Sequence, residues 1–261
     1  MHIAKDHIYY HVPVHRLLEE IEAFMSLGIG CEIFIRADFI DSYSKEDISL
    51  INTAFDKHGL RRKVHGPFVD LNPGSTDIRV RELTLNRFLR TVKLCSMLKA
   101  DSIVFHSHFE PIFYRRHFDE WLKNSEIVWN RVVDASEKLG ISINIENSID
   151  ESPDAVLATL ERHPSLGACF DVAHYNVFSP KGWKDAISRY PRGSIREVHV
   201  SDNKGNEDLH LPLGEGNIDF EEFFSEIIKR NEDPIITVEP HSKEGLTKNI
   251  EFMGKFAQGS D

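Results

Sequence analysis

Short apolar runs alternate with amphipathic segments along nearly the whole chain. The runs that predict β-strands lie near residues 2–9, 31–36, 62–66, 102–106, 141–146, 168–172, 195–201 and 235–239. The segments between them predict helices near 13–28, 45–58, 77–99, 115–139, 151–162, 180–189, 219–230 and 244–257. Segment 77–99 shows the helical pattern plainly, with one apolar stripe formed by Leu85, Phe88, Leu89, Val92, Cys95 and Leu98. Gly28, Gly59 and Gly140 each stand shortly before a strand, where a glycine commonly ends the preceding helix.

Eight strand–helix units in 261 residues predict a single domain over residues 1–261 with the (β/α)8 TIM barrel fold. A doubly wound parallel sheet is the alternative α/β architecture. The even spacing of the units, and the lack of a glycine-rich phosphate loop after the first strand, favour the barrel.

Composition narrows the class of protein without naming a function. Hydrophobic residues make up 41% of the chain and charged residues 28%, which is typical of a globular protein. The formal net charge of -11 disfavours DNA as a partner without excluding it, because a local patch or metal cluster can dominate a site. Three cysteines without CxxC spacing indicate buried thiols in a reducing compartment. With neither a signal core nor a membrane span in the sequence, we expect a cytoplasmic protein; the oligomeric state stays open.

Six consecutive predicted strands end in a histidine, aspartate or glutamate. In a TIM barrel the C-terminal strand ends and the loops after them form the active site, so these side chains are expected to converge. The set comprises His65, His106 with His108 shortly after it, Glu146, Asp171 with His174 three residues later, His199, then Asp208 and His210 in the next loop, and Glu239.

Carboxylates that converge in a narrow barrel mouth repel one another unless a cation lies between them. Imidazole and carboxylate donors suit Zn²⁺, Mn²⁺ or Co²⁺, and no cysteine is among the candidates. The sequence therefore predicts a site for one to three divalent ions. Asp208 and His210 are two residues apart, so an extended segment would present both side chains on one side and turn Leu209 towards protein. Gly214 and Gly216 would let the chain fold back on the mouth.

These residues resemble a known family, the xylose isomerase-like TIM barrels, which include sugar-phosphate isomerases and epimerases and endonuclease IV (AP endonuclease family 2). The resemblance covers nearly the whole chain. Its motifs are His65-Gly-Pro-Phe68, Phe105-His106, Glu146-Asn147, Phe170-Asp171-Val-Ala-His174, His199-Val-Ser-Asp202 and Asp208-Leu-His210-Leu-Pro-Leu-Gly-Glu-Gly216.

The two branches of the family imply different metal sites. The isomerase and epimerase branch implies one ion held by Glu146, Asp171, His199 and Glu239, with the two glutamates moving a proton and His174 contacting the substrate. The endonuclease IV branch implies three zinc ions and nine ligands. That set adds His65, His106, His174, Asp208 and His210 to the four residues above, and all nine residue types are present.

The loops depart from endonuclease IV. The first strand lacks the Gly-x-His-x-Ser opening, residues 147–152 replace the glycine-rich loop after the fifth strand, and DNA-penetrating aromatic residues are missing apart from Phe68. We therefore expect first a metal-dependent isomerase or epimerase acting on a sugar or sugar phosphate through a metal-stabilised enediolate. A multinuclear zinc phosphoesterase is the alternative, and a barrel that binds a ligand without catalysis is a third class. About one ion per chain would favour the isomerase, and two or three would favour hydrolysis.

Further candidates for substrate contacts are Phe68, His108 and Arg196. Arg196 has the competing interpretation of a plain surface residue. Segment 109–118 contains aromatic residues and arginines, and it predicts either a lid over the site or a helix start that packs on its neighbour, with packing favoured.

Overall fold

A computed structural model describes residues 3–230, 232–239 and 243–258. Eight parallel strands form a closed barrel, as the sequence predicts, because the first strand pairs with both the second and the eighth. The strands are β1 (Ile8–Pro13), β2 (Gly30–Phe34), β3 (Arg62–His65), β4 (Ser102–His106), β5 (Ser142–Glu146), β6 (Gly167–Asp171), β7 (Ile195–Val200) and β8 (Ile235–Val238).

Helices follow the strands and surround the barrel. They are α1 (Leu17–Leu27), α2 (Ala37–Ser42), α3 (Lys45–His58), α4 (Ile78–Met97), α5 (Pro111–Tyr114), α6 (Phe118–Leu139), α7 (Asp154–Arg162), α8 (Val172–Phe178), α9 (Gly182–Arg189), α10 (Phe220–Lys229) and α11 (Lys243–Met253). Two 3-10 turns (Lys5–His7 and Arg115–His117) and a pair of two-residue strands (Ile3–Ala4 with Ala257–Gln258) complete the described elements. Within the described ranges, no helix is both long and apolar enough to cross a membrane.

Local sequence signals account for several helix ends. Ser44 and Asp47 form a reciprocal capping box at the start of α3, and the side chain of Asp77 accepts the Arg79 amide at the start of α4. Gly59 and Gly140 end α3 and α6 in the left-handed conformation that glycine adopts without a steric penalty. The apolar faces of these helices pack on the barrel, and Trp121 and Trp129 of α6 are fully buried.

The first barrel strand is the main correction to the sequence prediction. It was expected near 2–9, but residues 5–7 form a 3-10 turn and the strand runs from Ile8 to Pro13. His11, which lies beyond the predicted end of the strand, points towards the mouth between neighbouring carboxylates. Residues 1–2 lie outside the described part of the chain.

Short helices in two βα loops were also missed, namely α2 after β2 and α8 after β6. Both are too short to produce a hydrophobic periodicity of their own. The last helix, expected over 244–257, runs from Lys243 to Met253, and residues 257–258 pair as a strand.

Candidate metal centre

Four donors from successive strands meet at the base of the barrel mouth. They form the deep group, which consists of Glu146 at the end of β5, Asp171 at the end of β6, His199 on β7 and Glu239 after β8. One potential donor atom from each residue lies within 4.8 Å of every other, and all four residues are buried. His199 Nδ1 lies 3.3 Å from a Glu146 oxygen and 3.0 Å from a Glu239 oxygen.

Asp171 is fixed by the local fold on both sides. Its Oδ1 accepts the backbone N–H of His174 at 2.6 Å and so caps α8, which places His174 in the first helical turn. The Asn147 amide holds the backbone N–H and C=O of Asp171 at 2.9 Å each. The other carboxylate oxygen, Oδ2, is buried without a hydrogen-bond partner. A buried, unpartnered oxygen within the deep group fits a cation.

Glu146 also belongs to the rim group, which it forms with His65 of β3 and His106 of β4. His65 Nε2 lies 3.1 Å and His106 Nε2 lies 3.3 Å from the same oxygen, Glu146 Oε2. The other oxygen, Oε1, faces His199 at 3.3 Å and His174 Nδ1 at 3.5 Å. One carboxylate is therefore shared by four imidazoles.

The loop group consists of His174, Asp208 and His210. Asp208 Oδ2 lies 3.1 Å from His210 Nε2 and 3.4 Å from His174 Nε2. The two loop residues do meet, but the predicted extended geometry is wrong. His210 has a positive φ of 47°, and Leu209 is 38% exposed and turned to solvent instead of towards protein.

A buried aspartate anchors the loop that carries this group. Asp202 accepts the backbone N–H groups of Gly214 and Gly216 at 2.9 Å on one oxygen, and those of Asn203 and Ile218 on the other. A Cβ at Gly216 would lie 2.1 Å from Asp202 Oδ1, so the close approach requires glycine there.

Three imidazoles are oriented in the same way, by a hydrogen bond to a backbone carbonyl. The Nδ1 atoms of His65, His174 and His210 lie 2.8, 2.8 and 3.0 Å from the backbone carbonyls of Gly66, Asn147 and Glu239. A carbonyl only accepts, so each Nδ1 carries the proton and each Nε2 is left to face the site. His199 is held in the opposite sense, with Nδ1 facing the site and Nε2 directed to carboxylates beneath it.

The pKa values reflect this crowding of opposite charges. Burial alone raises the pKa of Glu146, but His199 and His106 outweigh it and hold that pKa well below its usual range. Burial lowers the pKa of His174 and His199, yet the surrounding acidic groups raise both well above the ordinary value. Burial, followed by repulsion from other carboxylates, raises the pKa of Asp171 to about 7. Protons thus balance charge that a divalent ion would balance when bound.

Four polar residues that extend this site were missed because they lie within strands and not at strand ends. They are His11, Glu32, Lys63 and Glu197. Burial lowers the pKa of His11, but Glu239 and Glu32 outweigh burial and raise it to about 9. The signal was present in the sequence, since a charged residue inside an otherwise apolar strand is uncommon without a partner. The sulfur of Cys169 also lies within 4.8 Å of potential ligand atoms of Glu146 and His199. Burial raises the pKa of this thiol.

The three candidate substrate contacts have different positions. Arg196 is corrected: it is exposed near the start of β7, away from the mouth, and donates to the Ser165 carbonyl at 2.9 Å. Phe68 stacks on His106 with ring centroids 4.6 Å apart. His108 has a positive φ of 57° and, like Phe68, lines the cavity above the metal groups.

The donor groups form the floor of a cavity of about 820 Å³. Carboxylates and imidazoles lie at the bottom. The rest of the lining is mixed, with the aromatic residues Phe34, Phe68, Phe113, Tyr114 and Phe178 beside polar residues such as Asp70, Asn72, Ser75 and Glu110. The volume is in the range of pockets that enclose a small organic molecule.

The closed (β/α)8 barrel, with histidine and carboxylate side chains converging at its C-terminal mouth, places the chain in the class of TIM barrels with a candidate metal site. Within that class, the chain belongs to the xylose isomerase-like TIM barrel family, whose model matches residues 26–256. The family expected from the sequence motifs is thereby confirmed.

Relatives fall in both branches that the motifs suggested. Uncharacterized protein MJ1311 of Methanocaldococcus jannaschii is 28% identical over 224 residues, covering 82% of this chain and 76% of that protein. A probable endonuclease 4 of Persephonella marina is 24% identical over 212 residues, covering 69% and 70%. The crystal structure of a D-tagatose 3-epimerase-like protein superposes with a TM-score of 0.80 at 25% identity, covering 95% of this chain and 96% of that chain.

Proposed function

We propose that the protein is a metal-dependent phosphoester hydrolase with two or three divalent ions at the barrel mouth. One observation carries the proposal: Glu146 joins the deep group to the rim group, and the loop group adjoins it through His174. Isomerisation at one ion uses the four deep donors and His174 as a substrate contact, and it gives no role to His65, His106, Asp208 and His210. We therefore place the hydrolase ahead of the isomerase or epimerase, the opposite order from the one that the sequence analysis favoured.

The residues fit such a cluster because their donor atoms are oriented before any ion binds. Ions held by the three groups would supply electrostatic stabilisation of the phosphoryl oxygens and lower the pKa of a bound water. His65, His174 and His210 keep Nε2 directed into the site through their backbone carbonyl partners. Glu146 stays ionised among four imidazoles and suits a position between two cations better than the role of a free base.

His11 is a further cationic group beside the metal groups. His11 lies 3.1 Å from Glu239 Oε1 and 2.9 Å from Glu32 Oε1, and its raised pKa keeps it protonated at neutral pH. It can therefore donate a hydrogen bond to Glu239 and stabilise that carboxylate at the edge of the cavity.

A sugar isomerase or epimerase is the second candidate, favoured by a specific observation. Glu146 and Glu239 face each other across His199, which lies within 3.3 Å of both. Two glutamates on opposite sides of one deep ion could remove and return a proton on two faces of a sugar. The similarity to the D-tagatose 3-epimerase-like protein agrees with this alternative.

One pair of assays on zinc- or manganese-loaded protein distinguishes the phosphoester hydrolase from the sugar isomerase or epimerase. We expect hydrolysis of bis(4-nitrophenyl) phosphate that is lost after chelation and restored by added ions. We expect no exchange of solvent deuterium into ketohexoses, because exchange at the carbon next to the carbonyl is the signature of enediolate chemistry. Deuterium exchange without phosphoester cleavage would instead support the epimerase.

A further inference from the structure

The upper wall of the cavity has a feature that the metal groups do not explain. Segment 109–118 divides into two parts: Phe109 and Phe118 pack on Trp121, with ring centroids 5.1 and 6.4 Å from it, as the packing interpretation expected. Between them, Phe113 and Tyr114 of α5 line the cavity, and Phe113 is 66% exposed. An exposed aromatic ring that lines a ligand cavity lacks the apolar partner it would have in a core.

Charge in the cavity indicates what kind of group can meet this wall. Among the described lining residues, Arg16 is the single lysine or arginine, and it is bound to Glu20 at 2.6–2.7 Å. Asp70 and Glu110 add negative charge to the upper wall. An anionic group far from the metal floor would therefore meet repulsion without a free permanent cation to bind it.

We propose that Phe113 and Tyr114 form a subsite for an uncharged apolar ring, carried by the substrate next to the group that reacts at the metal floor. The substrate class is thus an aryl or similarly ring-substituted ester, not a compound with a second phosphate. The proposal rests on the proposed function only in taking the metal floor as the place of reaction. Cavity volume supports it, since about 820 Å³ exceeds what a single small headgroup needs.

Binding measurements test this subsite without requiring turnover. Calorimetry on zinc-loaded protein would compare phenyl with methyl phosphate, and phenyl with methyl β-D-glucoside. We expect the phenyl compound of at least one pair to bind about tenfold more tightly, which corresponds to about 1.4 kcal/mol of apolar and aromatic contact. We expect 4-carboxyphenyl phosphate to bind more weakly than phenyl phosphate.

Variants test whether the preference for the phenyl compound depends on Phe113 and Tyr114. Phe113→Ala should abolish the preference for phenyl and leave the affinity for the methyl compound unchanged. Ile112→Ala is the matched control, because Ile112 is on the same short helix, is 82% exposed and does not line the cavity. Equal affinity for phenyl and methyl in both pairs, or a preference that survives Phe113→Ala combined with Tyr114→Ala, would overturn the subsite. If the phosphates do not bind while phenyl glucoside still binds more tightly than methyl glucoside, the phosphoester function would be overturned and the subsite would stand.

A second inference comes from the layer of side chains beneath the metal floor. Lys63 is fully buried at the barrel centre, ion-paired with Glu197 and lying 3.0 Å from Glu32. Glu197 also accepts from Asn144 at 3.0 Å and from Thr237 at 2.9 Å. Two buried carboxylates thus share one lysine, and Glu197 is further hydrogen-bonded by residues from other strands.

This layer contacts the deep group at two points. His199 Nε2 lies 3.2 Å from Glu197 Oε1 and 3.4 Å from Glu32 Oε2. Glu32 Oε1 lies 2.9 Å from His11, whose Nδ1 is also 3.1 Å from Glu239. We infer that Glu32 and Glu197 are positioning residues, which fix His199 with Nδ1 towards the ion and fix Glu239 through His11. Lys63 contacts both carboxylates and holds them beneath His199.

Glu197→Gln and Glu32→Gln test the inference, with circular dichroism as the check of folding. We expect at least tenfold weaker Co²⁺ binding and an altered Co²⁺ visible spectrum, as loss of outer partners of ligating histidines commonly gives. Glu20→Gln is the control, since Glu20 is an equally buried glutamate paired with Arg16. Wild-type Co²⁺ affinity and spectrum in both folded variants would contradict the inference.

A measurement on the unmodified protein keeps the inference testable if the variants do not fold. Long-range ¹H–¹⁵N spectra of zinc-loaded protein identify which ring nitrogen of each histidine carries hydrogen. We expect Nε2–H for His199 and Nδ1–H for His65, His174 and His210. Nδ1–H at His199 would show that the carboxylates beneath it do not set its orientation.

Discussion

Some residues of this site have more than one role, and Asp171 is the clearest example. One oxygen caps α8 and so positions His174, while the other is buried within the deep group without a hydrogen-bond partner. Its strand is held in place by the Asn147 amide. A side chain that both shapes the backbone and binds an ion tolerates little change, because even an isosteric amide replaces the acceptor with a donor.

The raised pKa of Asp171 predicts how metal binding depends on pH. Asp171, His174 and His199 all have raised pKa values in the ion-free protein, that of Asp171 being about 7. Each must lose its proton to bind a cation, so the apparent affinity should rise as the pH increases from about 6 to 8. Calorimetry in two buffers of different ionisation enthalpy would count the protons released. An affinity that is flat across this pH range would contradict the pKa directions.

Two residues of the loop group allow the second metal position to be tested separately. Asp208→Ala combined with His210→Ala removes two of the three donors of the loop group and keeps all four donors of the deep group. We expect the folded variant to retain the deep ion and to lose at least one ion per chain relative to the wild type, measured by elemental analysis. Arg196→Ala is the control, because its side chain lies away from the mouth and should leave the metal content unchanged. Identical metal content in the double variant would make Asp208 and His210 purely structural.

At the scale of elements, the loop between β7 and α10 depends on a close approach of backbone and side chain. Gly216→Ala would place a methyl group 2.1 Å from Asp202 Oδ1 and 2.2 Å from the Asn203 carbonyl oxygen. We expect the loop to shift, with weaker binding at the loop group and a loss of stability of about 1–3 kcal/mol, as for other overpacked sites. Glu215→Ala is a neighbouring control, since its exposed ion pair with Lys248 contributes little.

The sequence predicted elements well where one residue type acts by itself. Helix-ending glycines, capping residues and strand-end donors could all be identified from their positions, and the barrel followed from the count of units. The position of β1 depends on its pairing with β2 and β8, and the left-handed His210 contacts the distant Glu239 carbonyl through Nδ1. The short helices α2 and α8 were missed because they lack a hydrophobic periodicity of their own. Polar residues inside apolar strands indicated that His11, Glu32, Lys63 and Glu197 have partners, but those partners lie on other strands and could not be identified from the sequence.

At the scale of the whole molecule, the barrel gathers acidic groups that need cations for stability. Ions that bind the folded state alone stabilise it by about 2.7 kcal/mol at a hundred times their dissociation constant. Chelation should therefore lower the melting temperature by roughly 5–10 °C for a domain of this size. Differential scanning calorimetry with and without ions measures the shift, and the Asp208→Ala, His210→Ala variant should lose part of it. Equal melting temperatures with and without ions would contradict a metal centre.

The net charge favours small substrates over nucleic acid. With a formal charge of -11, the chain repels a DNA backbone, and the cavity has Arg16 as its single described lysine or arginine. We expect weak or absent cleavage of abasic duplex DNA by metal-loaded protein at concentrations that hydrolyse an aryl phosphodiester. Robust zinc-dependent incision at low protein concentration would contradict this ranking of substrates.

The central claim is that three donor groups on one barrel mouth hold more than one ion. Anomalous diffraction at the zinc edge, on crystals of zinc-loaded protein, measures it most directly. The account predicts at least two peaks, one in the deep group and one in the loop group, with donor atoms at roughly 2.0–2.2 Å from each ion. A single peak in the deep group, with His174, Asp208 and His210 all more than about 3 Å from any ion, would contradict the claim, since direct zinc ligands lie near 2 Å.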